Sequence, residues 1–163
     1  MTAVDADRFS PARRVILGLN DSAASTVTSD ARDLPRTQLS NGIALQEVWQ
    51  QRTIPAKRSD RPEPDWTLGP DAPTHGAVVR ILTVPARHCA AAEPDLHTDP
   101  SLHVITMLSG ELVVLLEDGE VVLGVGDSIV LRDSLHDVRN THDTPASFVY
   151  NSFPMARGHG EHR

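Results

Sequence analysis

The region 77–153 consists of short apolar and β-branched runs separated by glycine and aspartate turns. Asp118-Gly119 lies between two of these runs, and such a dipeptide is among the strongest local signals for a β-hairpin. Short strands at this regular spacing, without a helical period, are typical of an antiparallel sandwich or barrel. The predicted strands are 77–84, 102–108, 111–117, 120–125, 128–131, 135–141 and 146–152.

Further strands are predicted nearer the N-terminus, at 14–19, 25–29 and 43–49. In 55–73 prolines recur among charged residues, which indicates a long surface loop that either covers a pocket or is an insertion without consequence. With 163 residues we expect one all-β domain over 13–154, between a flexible N-terminus 1–12 and a disordered tail 155–163. This domain comprises N-terminal strands in 13–50, a proline-rich loop 55–75 and a barrel 77–153.

Four side chains that can bind a metal lie in two segments of the predicted barrel. His97, Asp99 and His103 flank a turn expected at Pro100, and His136 lies further along the chain. Side chains two residues apart on a strand share a face, so His97 and Asp99 point the same way and the turn can bring His103 beside them. Imidazole nitrogen and carboxylate oxygen together suit iron, manganese, nickel or zinc. The alternative is that Asp99 only starts the turn.

Strand parity predicts which of these side chains face inward. His103 shares a face with Ile105, and His136 shares a face with Val138, so both imidazoles are expected inside the barrel. The remaining histidines have no partner at metal-ligand spacing and are predicted to be exposed. They are His75, His88, His142, His159 and His162.

Charge and cysteine content narrow the classes of partner. The formal net charge is −7, which argues against a nucleic-acid surface or a polybasic membrane contact. Cys89 is the single cysteine, so no intrachain disulfide can form and a reducing compartment is expected. We find neither a secretory signal nor a stretch as long as a membrane span, and therefore expect a cytoplasmic protein whose partner is a small molecule or a second copy of itself.

One part of this pattern resembles the second of two signatures carried by the cupin superfamily. That signature is Gly-Asp, followed by a His and, four residues after it, an Asn. Gly126-Asp127, His136 and Asn140 match it, with Arg132 near the place of its usual proline.

The first cupin signature, His-x-His, then Glu, then Gly, is matched with changes. His97 corresponds to the leading His, whereas Asp99 stands where the second His is usual. His103 stands where Glu is usual, seven residues before Gly110. The resemblance thus implies a ligand set of three histidines and one carboxylate in altered order, with a cupin that has lost its metal as the alternative.

A finer resemblance concerns small cupins found among natural-product tailoring genes, and it is carried by Ser109-Gly110-Glu111 and Asp118-Gly119-Glu120-Val121. The usual Arg-Gly-Thr and Trp around the second His are replaced by Arg132-Asp133-Ser134 and Val138, which implies a reshaped pocket. The resemblance implies a single-domain cupin jelly-roll β-barrel with extra N-terminal strands. Small cupins commonly pair through their sheets, so a homodimer is expected.

Three or four protein ligands would leave metal positions open, which is typical of a catalytic site. We expect a metal-dependent enzyme acting on a small oxygen-rich metabolite, such as a polyketide or aromatic intermediate. The expected chemistry is that of a lyase, decarboxylase, dehydratase or dioxygenase, with Fe(II), Mn(II), Ni(II) or Zn(II) and no organic cofactor. The alternatives are a metabolite-binding cupin without turnover and a metal-free isomerase.

Overall fold

The computed structural model describes residues 11–32, 34–57, 75–89 and 93–156. The described residues form strands and turns, so the all-β prediction is confirmed. Most of the predicted N-terminal segment, of the proline-rich loop and of the tail lies outside the described residues, and the domain bounds therefore stay a prediction. In the described part of the chain, no helix is long and apolar enough to cross a membrane.

Within the described residues eleven strands follow one another, and the neighbouring strands among them are antiparallel. They are β1 (Arg14–Leu19), β2 (Ser25–Ala31), β3 (Arg36–Gln38), β4 (Ala44–Gln51), β5 (Ala77–Val84), β6 (Ser101–Ser109), β7 (Leu112–Leu116), β8 (Gly119–Leu123), β9 (Ser128–Arg132), β10 (Asp137–Arg139) and β11 (Ala146–Pro154).

Three sheets result. Strands β1 and β2 form a hairpin of their own. Its turn is held by the Asn20 side chain, whose Oδ1 accepts hydrogen bonds from the amides of Ser22 and Ala24 at 3.0 Å each. The largest sheet has the order β3-β4-β5-β11-β6-β9, and a smaller one has the order β10-β7-β8. The order of strands is non-sequential in both larger sheets, as expected for a jelly roll.

The core lies between the two larger sheets. Along β6 the side chains alternate, so that His103, Ile105 and Met107 are buried, as parity predicted. Ile105 and Met107 belong to one apolar cluster together with Leu112 and Val114 of β7. The inner faces of both sheets therefore meet in this cluster, and the position of His103 on the same face places an imidazole at its edge.

A glycine makes the tight connection between β6 and β7. Gly110 has a φ of +72°, which side chains with a Cβ rarely adopt. A Cβ placed there would lie 2.8 Å from the Ala146 Cα and 2.8 Å from the Pro145 carbonyl oxygen. The close approach of β11 to this turn therefore requires glycine.

Candidate functional site

A cavity of about 660 Å³ opens in the barrel interior, and all four predicted metal-binding residues line it. Its apolar walls come from the β3–β4 turn, from β4, β5, β6 and β11, and from β10 on the opposite side. The polar lining includes Arg80, His88, His97, Asp99, His103, His136 and Tyr150, and the apolar lining includes Leu39, Ile43, Leu45, Leu82, Ile105, Val138 and Phe148.

His97 and His136 are joined by their main chains. Each amide donates to the carbonyl oxygen of the other at 3.0 Å, which makes an isolated antiparallel bridge. The ring centroids consequently lie 5.0 Å apart. The Nδ1 of His97 lies 3.1 Å from the Asp95 carbonyl oxygen, and the Nδ1 of His136 lies 2.8 Å from the Ser134 carbonyl oxygen.

These contacts decide the tautomer of both rings. A carbonyl oxygen accepts a hydrogen bond, so Nδ1 of each ring carries the proton and Nε2 carries the lone pair. Histidines that bind metals in proteins usually donate their other nitrogen in this manner. Both rings line the cavity, and His136 is half-buried whereas His97 is exposed at the mouth.

Asp99 and His103 are bonded to each other. The Nε2 of His103 lies 2.7 Å from Oδ2 of Asp99, and the His103 side chain is only 3% exposed. The hydroxyl of Tyr150 lies 3.3 Å from the same Nε2, and the two rings stack with centroids 4.7 Å apart. Oδ1 of Asp99 and Nδ1 of His103 are buried and make no hydrogen bond.

The donor atoms fit a divalent metal chemically, although they are not arranged around one. Among the described residues, no three His, Cys, Asp or Glu side chains surround a common point closely enough to hold a metal ion. On the Asp99 side, Oδ2 is already bonded to His103. The atoms that remain available are Nε2 of His97, Nε2 of His136 and the unpartnered Oδ1 of Asp99, which together form a nitrogen and oxygen set suited to a first-row transition metal.

Burial sets the protonation of two groups in this cavity. Desolvation is the largest cause that lowers the pKa of His136, and the neighbouring His97 lowers it further, so the neutral ring able to bind a metal is favoured. Desolvation also raises the pKa of Tyr150 to about 12. Tyr150 therefore keeps its proton at neutral pH and can donate a hydrogen bond into the cavity.

A buried ion pair lies in the row of side chains next to His103. Nε of Arg80 on β5 donates to Oε2 of Glu47 on β4 at 3.0 Å, and the two side chains are 5% and 3% exposed. Arg80 pairs in register with Glu47 on one side and Tyr150 on the other. Burial is the largest cause that raises the pKa of Glu47, and Arg80 opposes it.

The sequence interpretation missed several of these groups. It assigned no role to Glu47, Arg80 or Tyr150, although one arginine in the otherwise apolar run 77–84 was a signal for a buried charge. The prediction that His88 is exposed was wrong, because His88 is 9% exposed and lines the cavity. Its Nε2 lies 3.5 Å from Sγ of Cys89.

Asn140 has a structural role, in agreement with its position in the second signature. It is fully buried, and its amide nitrogen donates to the carbonyl oxygens of Thr144 at 2.8 Å and Pro85 at 3.1 Å. Its Oδ1 accepts from the amide of His142 at 3.0 Å. The residue thus closes the loop after β10 against the end of β5.

Comparisons with known proteins agree with this architecture. Residues 83–150 match the family described as Cupin domain. No curated protein sequence is significantly similar to the chain. The matched stretch begins at the end of β5 and contains the four predicted site residues.

Three solved structures illustrate the likeness. A predicted oxalate decarboxylase from Thermotoga maritima is 14% identical, with a TM-score of 0.53 over 76% of this chain and 95% of that one. The Cnp3 cupin domain from Schizosaccharomyces pombe is 9% identical, with a TM-score of 0.51 over 87% of each chain. A sugar phosphate isomerase from Silicibacter pomeroyi is 17% identical, with a TM-score of 0.41 over 48% of this chain and 51% of that one, about half its length.

At such identities the likeness concerns the fold, and the finer resemblance to cupins of natural-product genes stays a prediction. The family match and the barrel geometry agree with the two signatures read from the sequence. Residues 83–150 therefore match the cupin domain family, and the described residues have the cupin fold.

Proposed function

We propose that this chain is a metal-dependent enzyme that acts on a small oxygen-rich organic molecule in the barrel cavity. The observation that carries the proposal is the paired orientation of His97 and His136. Both rings are held through Nδ1 by carbonyl oxygens, both line the cavity, and both have Nε2 available. Fixing two imidazoles in this way has an evident use in metal binding.

The third donor in this proposal is Asp99. Its Oδ2 is bonded to His103, which would orient the carboxylate, and its unpartnered Oδ1 would be the donor to the metal. The sequence predicted His103 as a ligand as well, and that role would require either its Nε2 to leave Asp99 or its buried, unpartnered Nδ1 to reach the ion. We favour three ligands, His97, Asp99 and His136, with Fe(II), Mn(II), Ni(II) or Zn(II) as the ion.

When bound, such an ion supplies a Lewis acid for a substrate oxygen and positions open to exchange. The chain's own residues supply the rest. Tyr150 keeps its proton and donates a hydrogen bond to a substrate oxygen, and the Glu47–Arg80 ion pair lies in register beside it. A bound metal with open positions beside a hydrogen-bond donor suits lyase, decarboxylase, dehydratase or dioxygenase chemistry. The Thermotoga maritima structure described as a predicted oxalate decarboxylase falls in the first two classes.

The test is metal content of protein purified without a histidine tag and loaded with each candidate ion in turn. The unmodified chain should retain about one ion after gel filtration, and His97→Ala and His136→Ala should lose it. His142→Ala is the matched control, because His142 is an exposed histidine bonded to Glu111 at 2.6 Å and does not line the cavity. Retention of the ion by His136→Ala, or no retention by the unmodified chain, would contradict the proposal.

One observation favours a second function, proton transfer without a metal. The His103–Asp99 bond of 2.7 Å beside the Tyr150 hydroxyl brings together a base, its orienting carboxylate and an acid. A metal-free isomerase would use these groups. Turnover that survives a chelator and His97→Ala but is lost in His103→Ala would select this function over the first.

We also propose that the chain forms a homodimer. Leu108 on β6 and Val130 on β9 lie on the outer face of the large sheet and are 47% and 56% exposed. Apolar side chains grouped on a sheet face often mark an interface. The mass in solution should be that of two chains, and Val130→Lys should reduce it to one; a monomeric unmodified chain would refute this.

A further inference from the structure

Three rows of inward-facing side chains cross the large sheet below the mouth of the cavity. The first contains Ser152 and His103, in register on β11 and β6. The second contains Glu47, Arg80, Tyr150 and Ile105, and the third contains Leu45, Leu82, Phe148 and Met107. On β6 the first and third rows are four residues apart, which corresponds to about 13 Å along the strand.

Polarity falls from the first row to the third. His103 and Asp99 lie at the mouth end, together with His97 and His136. The second row combines the buried ion pair with the Tyr150 hydroxyl. The third row is apolar throughout, and we call it the floor row.

Other apolar side chains extend the floor row around the cavity. Leu39 and Ile43 come from the β3–β4 turn, and Val138 comes from β10. Two polar side chains, His88 and the exposed Asn41, reach this end of the cavity. Nε2 of His88 faces Cys89, and Oδ1 of Asn41 accepts from the Ile43 amide at 3.2 Å. The deep end therefore offers an apolar surface to a ligand and few partners for hydroxyl groups.

The ion pair of the second row does not require the ligand to carry an anionic group at this depth of the cavity. Arg80 is balanced by Glu47 at 3.0 Å, so the net charge of the pair is zero. A neutral ligand oxygen at this level can accept a hydrogen bond from Tyr150. The ligand therefore needs polar atoms in its outer part only.

From this gradient we infer that the cavity binds an amphipathic acid or keto acid, with its oxygens at the mouth and an unbranched alkyl or aryl body reaching the floor row. The volume of about 660 Å³ agrees with this, because cavities of roughly 300–1,000 Å³ bury molecules of drug size. Oxalate would leave the floor row unfilled. A polyol would place hydroxyl groups against leucine and phenylalanine without partners, which is costly.

The inference rests on the proposed function for the oxygen end, whereas the apolar end is independent of any metal. The experiment is titration calorimetry with oxalate and with straight-chain α-keto acids from pyruvate to the eight-carbon homologue. Each series is run with Mn(II)-loaded and with chelator-treated protein. The dissociation constant should fall by about fourfold for each methylene that becomes buried, until the floor row is reached.

The two proposals fail differently in this experiment. If affinity rises with chain length in both series, the apolar floor row is supported. If affinities are the same with and without Mn(II), only the metal proposal is contradicted. Affinities that do not depend on chain length, oxalate binding as tightly as the longest acid, or no binding of any acid overturn the inference.

Variants at Leu82 test whether the alkyl or aryl part of the ligand ends at the floor row. Leu82→Phe fills the floor and should weaken the longest acid while leaving pyruvate unchanged, and Leu82→Ala should move the optimum to a longer chain. Leu17→Ala, at a 70% exposed leucine of the β1–β2 hairpin outside the cavity, is the matched control and should change neither. An equal effect of Leu82→Phe on all acids would place the body elsewhere and contradict the inference.

Discussion

Replacing Arg80 by methionine removes the guanidinium that lies 3.0 Å from the Glu47 carboxylate and leaves that carboxylate buried. At an effective dielectric constant of about 20, two unit charges at this distance attract by about 5.5 kcal/mol. Methionine fills part of the same volume without a charge. The free energy of unfolding should therefore fall, chiefly through the electrostatics of Glu47.

The full attraction is not lost, because Glu47 can take up a proton instead. From an ordinary pKa of 4.5, protonation at pH 7 costs about 3.4 kcal/mol, which limits the charge-related destabilisation. Burial already raises the pKa of Glu47 and Arg80 lowers it, so the variant's folded-state pKa must rise further. Because the folded-state pKa of Glu47 lies above the unfolded value of 4.5, Glu47 contributes to the free energy of unfolding below pH 4.5. That contribution is lost as the pH rises through the folded-state pKa.

Urea denaturation followed by circular dichroism measures the free energy of unfolding at several pH values. Arg80→Met should lose up to about 3.4 kcal/mol relative to the unmodified chain at pH 7 and clearly less near pH 5. The double variant Arg80→Met with Glu47→Gln has no buried charge and should recover most of the loss at pH 7. A loss that is the same at both pH values, or a double variant less stable than the single one, would refute the reasoning.

An exposed pair of the same kind is the control. Arg13 lies 2.7 Å from Asp30, but both side chains are about half exposed, at 48% and 45%. Water solvates either charge when the other is removed. Arg13→Met should therefore change the free energy of unfolding little, in spite of the shorter distance.

Three further outcomes are expected. His103→Ala should weaken metal affinity about 10–100-fold in a chelator competition, as for a residue that orients a ligand, rather than abolish binding. Gly110→Ala should lower the free energy of unfolding by more than about 1 kcal/mol, because of its positive φ and the 2.8 Å approach of Ala146, while Gly124→Ala should change it little, the nearest atom being 3.7 Å away. Asn140→Ala should cost about 2 kcal/mol or more in the same urea assay, since several buried backbone groups lose their partner.

Strand content and parity could be predicted from the sequence because they depend on local patterns. The alternation of His103, Ile105 and Met107 has the period of a strand, and the turn at Asp118-Gly119 joins β7 and β8 as expected. His97, Asp99, His103 and His136, which the sequence pattern groups as candidate ligands, all line one cavity. Their roles as metal ligands stay a prediction.

The remainder depends on register between strands distant in sequence. Glu47 and Arg80 are 33 residues apart, and only the pairing of β4 with β5 brings them together. Tyr150 likewise reaches His103 through the pairing of β11 with β6. The burial of His88 depends on a contact with Asn140, whose backbone N–H donates to the His88 carbonyl oxygen at 3.1 Å. No local pattern encodes these contacts.

The bridge between residues 97 and 136 has a consequence for redesign of the cavity mouth. Its two hydrogen bonds involve only amides and carbonyls, so the separation of the two Cα positions does not depend on which side chains they bear. Cysteine, glutamate or a second pair of aromatic rings grafted at these positions should inherit the same spacing. Other pairs of donor side chains can therefore be placed at positions 97 and 136, at the spacing that the backbone sets, to change the ion or cofactor that the barrel binds.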